Sequence, residues 1–478
     1  MSEKEKLQYL VSMFQQWSGE KVQETIFLPP SGSYREYYRM ISPHSQAIGV
    51  YNEDHKENLA FLNFTRHFFS IGLPVPQLYA EDLPHNVYLL EDLGDTTLLN
   101  YLNSQKEIDN NNLDFYDIYK KIINILPTFQ IKGGKDLDYS YCYPRAAFDK
   151  QSMMWDLNYF KYYFLKLAKI PFDEQNLEND FQTFSDFLLQ ADSNYFLYRD
   201  FQSRNIMLKD GKVFFIDYQG GRRGALQYDL ASLLFEAKTN LPFGFREELL
   251  EYYIQQLNLI QPVETKTFKK FYYGFVLIRM LQAMGAYGFR GFYEKKTLFL
   301  QSIPGALRNV EWWLKNADLP LEIPELRKVL ELLNQSEFLK EIVRSSSKLT
   351  VEINSFSYRR GIPVDESGNG GGFVFDCRFI HNPGRYDKYK DLTGQDEEVK
   401  KFFTEQSEMD DFLKDVFSMI DRAVKKYQQR HYQHLVVNFG CTGGQHRSVY
   451  AAEQLSKHLS SKYDISIIVR HRERESIH

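Results

Sequence analysis

Hydrophobic and polar positions follow two different periods along the chain. In several segments apolar residues recur every three or four positions, which predicts amphipathic helices. These segments are residues 4–17, 57–69, 151–170, 181–190 and 407–428. Helices are therefore expected at the beginning of the chain, through its middle and again near its end.

Short apolar or alternating runs predict strands between these helices. They are residues 46–51, 87–90, 206–208, 213–216, 349–356, 373–379 and 434–439. A group of strands thus precedes a mainly helical region, and a second group of strands alternates with helices near the end. This order predicts an α/β protein, in which an α+β region is followed by a small α/β sheet.

The composition is that of a globular chain without a strong overall charge. Of the 478 residues, 43% are hydrophobic and 25% are charged. This length corresponds to roughly two to four domains of ordinary size. The net charge of −5 and the pI of about 6.2 give the whole chain no electrostatic attraction to nucleic acid or membranes.

Several absences in the sequence predict a cytoplasmic location. The starting sequence, MSEKEKLQYL, lacks the apolar core of a signal peptide, and no apolar run approaches membrane-spanning length. Cys142, Cys377 and Cys441 are too few and too scattered for a disulfide framework or a zinc site. We therefore expect no membrane partner.

A change of character near residue 320 predicts a domain boundary. Residues 320–345 are charged and helical, and the following Ser345-Ser346-Ser347-Lys348 is typical of a linker. This predicts a first domain over residues 1–345, which ends in a linker helix at 320–345, and a second domain over residues 349–478. The second domain contains a glycine-rich segment at residues 365–372, which is too rich in glycine to be regular.

The densest chemistry of the first domain lies in residues 198–217, which read YRDFQSRNIMLKDGKVFFID. Lys209-Asp210-Gly211-Lys212 is a strong turn signal between two apolar strands, and it predicts an antiparallel hairpin. Because a hairpin returns the chain to its start, Asn205 and Asp217 should lie side by side. Mg²⁺ prefers hard oxygen ligands and takes only one or two protein carboxylates, so this pair predicts a magnesium site.

Asp200 enters the same hairpin five residues before Asn205 and is placed to accept a proton from an attacking hydroxyl. A base, an amide ligand and a carboxylate ligand in this order form the phosphoryl-transfer arrangement of kinases. The segment resembles the catalytic loop of the aminoglycoside-phosphotransferase-like kinases, which phosphorylate small molecules. The resemblance implies that Asp200 is the catalytic base and that Asn205 and Asp217 bind the metal.

The same resemblance implies a two-lobed kinase-like fold that uses ATP and Mg²⁺. The N-lobe is expected at about residues 1–92 and the C-lobe at about residues 95–317. In the resembling kinases the segment corresponding to Glu91-Asp92-Leu93-Gly94 is the hinge between lobes, so Glu91 is expected to contribute backbone atoms to adenine binding. Asp229 matches the acid that braces the catalytic loop, although an N-cap of the following helix is an equal alternative.

The nucleotide phosphates have a candidate site near the start of the first domain. Ser31-Gly32-Ser33 can form a turn whose backbone N–H groups close over phosphate, with Arg35 and Arg39 supplying positive charge. Followed by S-Y-R-E-Y-Y-R, this turn resembles the N-lobe entry of the bacterial cell-wall sugar kinases that act on N-acetylmuramate and N-acetylglucosamine.

Two positions depart from the kinase pattern. The strand at 46–51 has no lysine to grip the α- and β-phosphates, Tyr51 takes that place, and Arg39 is our predicted substitute. Tyr198 stands where the resembling kinases usually have histidine. These departures leave open an inactive kinase domain, although the base and both metal ligands are present.

A second constellation lies at residues 440–448, which read GCTGGQHRS. A strand, a glycine loop and a helix N-terminus together present backbone N–H groups and the positive end of the helix dipole to an anion. Arg447 adds a guanidinium, and Thr442 and Ser448 add hydroxyls. Phosphate binding is the direct prediction. Cys441 and Arg447 also have the C-x5-R spacing of cysteine phosphatases, which is a rival hypothesis.

The segment from residue 349 onward resembles the C-terminal domain of RapZ, the bacterial RNase adapter. The motifs that carry the resemblance are S-F-S-Y-R-R-G-I-P, F-D-C-R-F-I-H-N-P, L-T-G, G-C-T-G-G-Q-H-R-S-V-Y and R-H-R. In that family the domain binds an amino-sugar phosphate and regulatory RNA, and the resemblance also suggests a homo-oligomer. It implies a sugar-phosphate pocket that contains His381, Thr442, Gly443, Gly444, His446, Arg447 and Ser448. The basic residues Arg470, His471, Arg472 and Arg474 can form a local patch for RNA.

Together these predictions describe an ATP-dependent kinase for a small-molecule sugar hydroxyl, with a regulatory domain that binds a sugar phosphate. The amino sugars N-acetylmuramate and N-acetylglucosamine are the expected acceptors. Two alternatives remain from the sequence: an ATP-responsive adapter that binds RNA or protein through an inactive kinase domain, and a cysteine phosphatase at Cys441. The sequence does not identify the acceptor hydroxyl.

Overall fold

The computed structural model describes residues 2–28, 35–105, 113–346, 348–363, 371–430, 432 and 434–475. These residues form two compact units, Met1–Leu339 and Lys340–His478. None of the helices in the described ranges has both the length and the apolar character that crossing a bilayer requires.

The first unit opens with an antiparallel sheet. Its strands are β1 (Glu24–Leu28), β2 (Glu36–Ile41), β3 (Gln46–Tyr51), β4 (Leu78–Asp82) and β5 (Val87–Glu91), in the order β1-β2-β3-β5-β4. Two helices accompany the sheet, α1 (Glu3–Ser18) and α2 (His55–Ser70). Leu10 and Phe14 of α1 pack on Tyr38 and Met40, which share one face of β2 because side chains alternate along a strand.

The rest of the first unit is mainly helical. Its helices are α3 (Leu98–Gln105), α4 (Leu113–Pro127), α5 (Lys150–Phe160), α6 (Glu174–Leu188), α7 (Gln227–Leu234), α8 (Phe243–Ile260), α9 (Thr265–Tyr287), α10 (Ile303–Asn316) and α11 (Pro324–Gln335). Helix α12 (Glu337–Ser346) contains the boundary between the two units. Its strands are β6 (Tyr195–Leu197), β7 (Ile206–Lys209), β8 (Lys212–Phe215) and β9 (Arg222–Gly224). Strand β6 pairs with β9, and β7 pairs with β8 in the predicted hairpin.

Three helix predictions need correction. Helix α5 ends at Phe160 and continues only as a π-helical turn, Lys161–Leu165, whereas the sequence predicted a helix to residue 170. Helix α6 begins at Glu174, because Asp173 caps its N-terminus, and not at residue 181. The predicted linker helix at 320–345 is two helices, and α11 packs against α6 and α10.

Helix α11 belongs to the first unit because it has a strongly apolar face. Leu326, Val329, Leu330 and Leu333 are fully buried. The Leu326 amide also donates to the Asp180 carboxylate of α6 at 2.8 Å. The many charged residues in this stretch lie on the other face of the helix, so charge alone was a poor sign of a linker.

The second unit is built on a parallel sheet. Its strands are β10 (Thr350–Ser357), β11 (Phe373–Asp376), β12 (His434–Cys441) and β13 (Ser466–His471), in the order β11-β12-β10-β13. Its helices are α13 (Glu397–Gln406), α14 (Met409–Gln429), α15 (Arg447–Lys462) and α16 (Arg472–Glu475). The sheet and helices bury one apolar core, which confirms the predicted small α/β sheet. Helix α13 and strand β13 were not predicted.

Candidate active site

The β7–β8 hairpin brings the two predicted metal ligands together. Ile206 pairs with Phe215, so Asn205 and Asp217 lie next to each other at the open end of the hairpin. The Asn205 amide donates to the Asp217 carboxylate at 3.2 Å and to the Asp200 carbonyl at 2.8 Å. Because the amide nitrogen is occupied, the amide oxygen of Asn205 is the atom that can bind a cation.

This pair is too small to hold a metal alone. In the part of the chain that the structure describes, no three His, Cys, Asp or Glu side chains are grouped to hold a metal ion. Asn205 and Asp217 supply one amide oxygen and one carboxylate, which is the ligand count of a Mg²⁺ site completed by phosphate oxygens and water.

Asp229 holds the loop that carries Asp200. It is fully buried and accepts hydrogen bonds from the backbone N–H groups of Tyr198 at 2.9 Å and Arg199 at 3.1 Å. Burial raises the pKa of Asp229 to about 7, although these hydrogen bonds and one from Gln130 act to lower it. The bracing role is confirmed. The N-cap alternative is wrong, because α7 begins before Asp229 and its capping residue is Leu226.

Two further contacts fix this loop. Arg199, at a left-handed φ of 80°, donates to both oxygens of Asp156 at 2.7 and 2.6 Å. Tyr198, which replaces the expected histidine, donates its hydroxyl to the Ile216 carbonyl at 2.5 Å. Since Ile216 precedes Asp217, Tyr198 ties the loop of the candidate base to the strand end that carries the candidate metal ligand.

Asp200 lies at the surface of this framework with an open carboxylate. Its side chain is 40% exposed. Its closest charged neighbour among the described ion pairs is Arg279, whose Nη2 is 3.9 Å from Oδ1. A hydroxyl from solution can therefore reach Asp200, as a general base requires.

The arginine beside the candidate metal ligands is Arg35. It is 3% exposed and forms an ion pair with Glu57 of α2 at 3.0 Å, while its Nη1 is 3.8 Å from Asp217. Gln219 joins the two acids, since its amide donates to Asp217 at 2.7 Å and to Glu57 at 3.2 Å. Arg35 thus occupies the centre of a charge network that joins the sheet, α2 and the hairpin.

Arg39, the predicted phosphate-gripping residue, makes different contacts. Its guanidinium pairs with Asp92 at 2.6 Å and with Asp95 at 2.8 Å, both just after β5. Arg35 and Arg39 share one face of the same extended segment about 13 Å apart. The sequence named Arg39 as the substitute for the missing lysine, whereas in the structure Arg35 is the arginine beside Asp217.

None of the remaining nucleotide predictions is confirmed. Tyr51 does not take the place of a lysine in the cleft: it is 4% exposed, on the face of β3 that packs on α1, under the Lys6 ammonium. The Glu91 amide donates to the Gln77 carbonyl at 2.8 Å, so it is not available to adenine, and the Glu91 carboxylate pairs with Lys209. Ser31, Gly32 and Ser33 lie outside the described residues.

In the second unit, the predicted phosphate loop follows β12 at the carboxyl edge of the parallel sheet. Ligands of open α/β sheets bind at this edge. The Ser357 hydroxyl, at the end of β10, donates to the Thr442 carbonyl at 2.7 Å and fixes the loop. A side chain at Gly443 would meet nothing within 4 Å, so this position is open, whereas Gly444 has a left-handed φ of 66° and packs against Glu473.

Arg447 holds the loop against a neighbouring segment. It is 5% exposed, and its Nη1 donates to the carbonyls of Arg378 at 2.7 Å and Ile380 at 3.1 Å. Its Nη2 is 3.4 Å from the Thr442 hydroxyl. Arg447 therefore holds the backbone at Arg378 and Ile380 next to the loop. The His381 ring lies near the Gln406 carbonyl at 3.1 Å and the Tyr386 hydroxyl at 3.2 Å.

His446 points into the protein and not toward the loop opening. It is 8% exposed, and its Nε2 lies 2.8 Å from the Tyr389 carbonyl. A carbonyl only accepts, so Nε2 carries the proton and the ring is the Nε2–H tautomer. Its contacts are those of a residue that supports the loop.

We expect the second unit to lose stability on mild acidification. Burial lowers the pKa of His446 below its ordinary 6.5, the hydrogen bond to Tyr389 opposes this, and the charge of Arg447 adds to it. As the pH falls through 6.5, the His446 side chain binds a proton in the unfolded chain before it does so in the folded protein. The free energy of unfolding therefore falls. The slope from one such group is at most about 1.4 kcal/mol per pH unit.

Hydrogen exchange of the β12 amides in urea, from about pH 5 to 7.5, measures this slope. Tryptophan fluorescence does not, because all four tryptophans, Trp17, Trp155, Trp312 and Trp313, lie in the first unit. In His446→Gln the amide still donates to the Tyr389 carbonyl but does not titrate, so the slope should flatten. An unchanged slope in this variant would assign the pH dependence to another group.

Cys441 and the basic tail offer little to the alternative functions. The Cys441 thiol is 3% exposed and lies 3.2 Å from both the Gly444 amide and the Ser448 hydroxyl, while the guanidinium of the C-x5-R motif binds carbonyls. In the tail, Arg470 and Arg472 lie within 3.8 and 3.5 Å of the Glu352 carboxylate. The two arginines share this one carboxylate, so it compensates at most half of their positive charge.

Comparisons with known proteins divide the chain at the same place. The family model described as "Phosphotransferase enzyme family" matches residues 35–266, and the one described as "RapZ C-terminal domain" matches residues 349–475. Nucleotide-binding protein FN1089 of Fusobacterium nucleatum is 30% identical over 267 residues, which cover 50% of this chain and 88% of that protein. The chain belongs to the RapZ C-terminal domain family and joins that domain to a phosphotransferase-family domain.

Other relatives match less of their own length. A nucleotide-binding protein of Thermotoga neapolitana is 36% identical over 147 residues, which cover 31% of this chain and 48% of that protein. The chain thus spans about half the length of most curated relatives that it matches, such as the 48% of a nucleotide-binding protein of Psychrobacter. The relatives named here are called nucleotide-binding proteins.

Solved structures that resemble the chain cover about two thirds of its length. Choline kinase LicA from Streptococcus pneumoniae is 16% identical with a TM-score of 0.43, covering 66% of this chain and all of that one. A choline/ethanolamine kinase family protein from Mesorhizobium loti is 11% identical with a TM-score of 0.45, covering 70% of this chain and all of that one.

Proposed function

We propose that the phosphotransferase domain transfers the γ-phosphate of ATP to a hydroxyl of an amino sugar such as N-acetylmuramate or N-acetylglucosamine. The observation that carries the proposal is the convergence of Asp200, Asn205 and Asp217 at one end of the β7–β8 hairpin. The phosphotransferase family match over residues 35–266 supports the reaction class. The amino-sugar acceptor rests on the sequence resemblance around residues 31–39.

Each of these residues has a defined role in the proposed reaction. The acceptor oxygen forms a bond to the γ-phosphorus while the bond from that phosphorus to the β–γ bridging oxygen breaks, and ADP leaves. Asp200 takes the proton of the acceptor hydroxyl. Arg35, Glu57 and Gln219 keep the Asp217 carboxylate oriented, so that the proposed metal ligand needs little reorganisation.

Mg²⁺ fits the residues present. One carboxylate from Asp217 and one amide oxygen from Asn205 leave room for phosphate oxygens, which is how this ion binds in nucleotide sites. When bound, Mg²⁺ would neutralise charge on the phosphates.

A panel of acceptors tests the proposal directly. The protein is incubated with Mg²⁺, γ-¹⁸O-labelled ATP and, one at a time, neutral sugars, amino sugars, sugar acids and aminoglycosides. We expect one class of acceptor to become labelled with ¹⁸O-phosphate, as detected by mass spectrometry. Without Mg²⁺ this labelling should not occur. ATP binding without transfer to any acceptor would reject the kinase and favour an ATP-responsive adapter.

We further propose that the RapZ C-terminal domain binds a sugar phosphate and thereby regulates the kinase. The loop after β12 has the anion-favouring position of an α/β sheet, and Thr442, Gly443 and Arg447 lie along it. Titration with glucosamine phosphate and N-acetylglucosamine phosphate should change the rate of phosphoryl transfer. Thr442→Val removes a hydroxyl at constant shape and should shift the titration to higher concentration; an unchanged rate at saturating ligand would reject the regulation.

A further inference from the structure

A partly open pocket of about 120 Å³ lies beside Asp200 in the first unit. Its wall includes Asp200, Arg204, Glu236, Lys238 and Arg279. Drug-sized ligands occupy sites of roughly 300–1,000 Å³, so this pocket suits one small ring or a side arm and not an oligosaccharide. Because Asp200 is the proposed base, the molecule that enters this pocket is the acceptor.

The wall of this pocket is unusually rich in cations. Arg204 comes from the turn before β7, Lys238 from the segment after α7 and Arg279 from α9. Three chain segments that are distant in sequence thus bring positive charge to one small volume. Like charges held together repel one another, and an anion bound between them relieves this repulsion.

The two acids of the wall offset these three cations only in part. Glu236 is 8% exposed, and its carboxylate accepts the Ser203 amide at 2.8 Å, which turns it toward the backbone of the loop. The Asp200 carboxylate lies 3.9 Å from Arg279, and it is the proposed base that takes the proton of the acceptor hydroxyl. Among the described residues, neither acid lies within 4.0 Å of the charged nitrogens of Lys238 or Arg204 in an ion pair.

The three cations differ in how firmly they are held. Arg279 is 8% exposed, and its Nε donates to the Ser232 hydroxyl at 2.8 Å, which fixes its guanidinium next to Asp200. Lys238 is half-buried, and its ammonium has a ring contact with Phe299 but, among the described residues, no hydrogen-bond acceptor. Burial and the charge of Arg204 lower the pKa of Lys238, while Glu236 raises it.

We infer that the acceptor carries an anionic group, a carboxylate or a phosphate, close to the hydroxyl that receives the phosphoryl group. This inference rests on the proposed function for its assignment of Asp200 as the base. An anion bound by Lys238 and Arg204 beside the guanidinium of Arg279 would place the neighbouring hydroxyl at Asp200. Polycationic acceptors such as aminoglycosides would be repelled by the same charges.

Binding measured without turnover separates this inference from the proposed function. Calorimetry with ADP and Mg²⁺ present compares matched pairs: N-acetylmuramate with N-acetylglucosamine, glucuronate with glucose, and glucose 6-phosphate with glucose. We expect the acid of at least one pair to bind at least tenfold more tightly than its neutral partner, and the advantage to shrink with salt. The carboxylate and phosphate pairs distinguish the two sources of the anion.

Variants locate the effect in the pocket. Lys238→Gln and Arg204→Gln should each reduce the preference for the acid roughly tenfold, which is the loss of one charge-assisted hydrogen bond, and should leave the neutral partner unchanged. Lys212→Gln, an exposed lysine on the hairpin turn, is the matched control and should keep the preference. Arg204 is exposed, so its replacement does not threaten folding.

The outcomes can be told apart. If the acid binds in a Lys238-dependent way but no acceptor is phosphorylated, the pocket inference stands and the kinase proposal fails. If phosphate is transferred to neutral and acidic partners alike, the kinase stands and the inference falls. Equal binding of both partners, or a preference that survives in both variants, overturns the inference regardless of turnover.

Discussion

Asp200→Asn is expected to lower kcat for phosphoryl transfer by roughly 10²–10⁴-fold, which is the usual contribution of a general base. Asparagine keeps the size of the side chain but cannot accept the proton of the acceptor hydroxyl. Because Asp200 is 40% exposed and braces nothing in the core, the variant should remain folded and bind ATP as before. Initial rates of ADP formation with the identified acceptor, together with ATP affinity, measure both effects.

Asp210→Asn provides the matched control for this experiment. Asp210 is an exposed residue of the same hairpin and has a φ of 50°, a conformation that asparagine also adopts. The same chemical change is therefore made ten residues away, outside the pocket that contains Asp200. A comparable loss of kcat in both variants, or a full rate in Asp200→Asn, would remove Asp200 from the reaction.

Arg35→Met is expected to lower kcat/KM for ATP by about tenfold to a hundredfold. The buried guanidinium binds Glu57 and lies 3.8 Å from Asp217, so its loss leaves both acids facing each other and weakens the hold on the proposed metal ligand. A charge-assisted hydrogen bond is worth about 1.5–3 kcal/mol, which corresponds to this range of rates. Rates at several Mg²⁺ concentrations should show that the variant needs more metal.

Arg39→Met is the comparison that decides which of the two arginines supports the reaction with ATP. Arg39 pairs with Asp92 and Asp95 after β5, and its replacement should affect kcat/KM for ATP less than that of Arg35 and should not change the Mg²⁺ requirement. Urea unfolding followed by tryptophan fluorescence shows whether each variant is folded. A larger loss in Arg39→Met would support the assignment made from the sequence and contradict the one drawn from the structure.

Local features of the site could be predicted from the sequence. The hairpin is encoded by two short apolar runs and a four-residue turn, so the adjacency of Asn205 and Asp217 needed no knowledge of the rest of the chain. The bracing acid Asp229 was found by its place in a motif, although only the structure excluded the N-cap alternative.

Features that depend on tertiary contacts could not be predicted. Arg35 and Arg39 have the same strand parity, and only the position of α2, which carries Glu57, distinguishes them. The cations of the pocket beside Asp200 come from a turn, a loop and a helix that are far apart in sequence. Helix α11 was misjudged because its charges are visible in the sequence while the burial of its apolar face is a property of the packed unit.

The anchoring of the catalytic loop has a consequence for how this protein can change over generations. The loop is held by hydrogen bonds to the buried Asp229 and Asp156 and to the Ile216 carbonyl. Replacements of these loop residues should therefore destabilise the fold. Arg204 and Lys238 at the pocket are exposed or half-buried and support little of the core. Substitutions at these two positions can therefore change the preferred substrate without changing the residues proposed for the reaction. A library randomised at Arg204 and Lys238 should consist mostly of folded proteins.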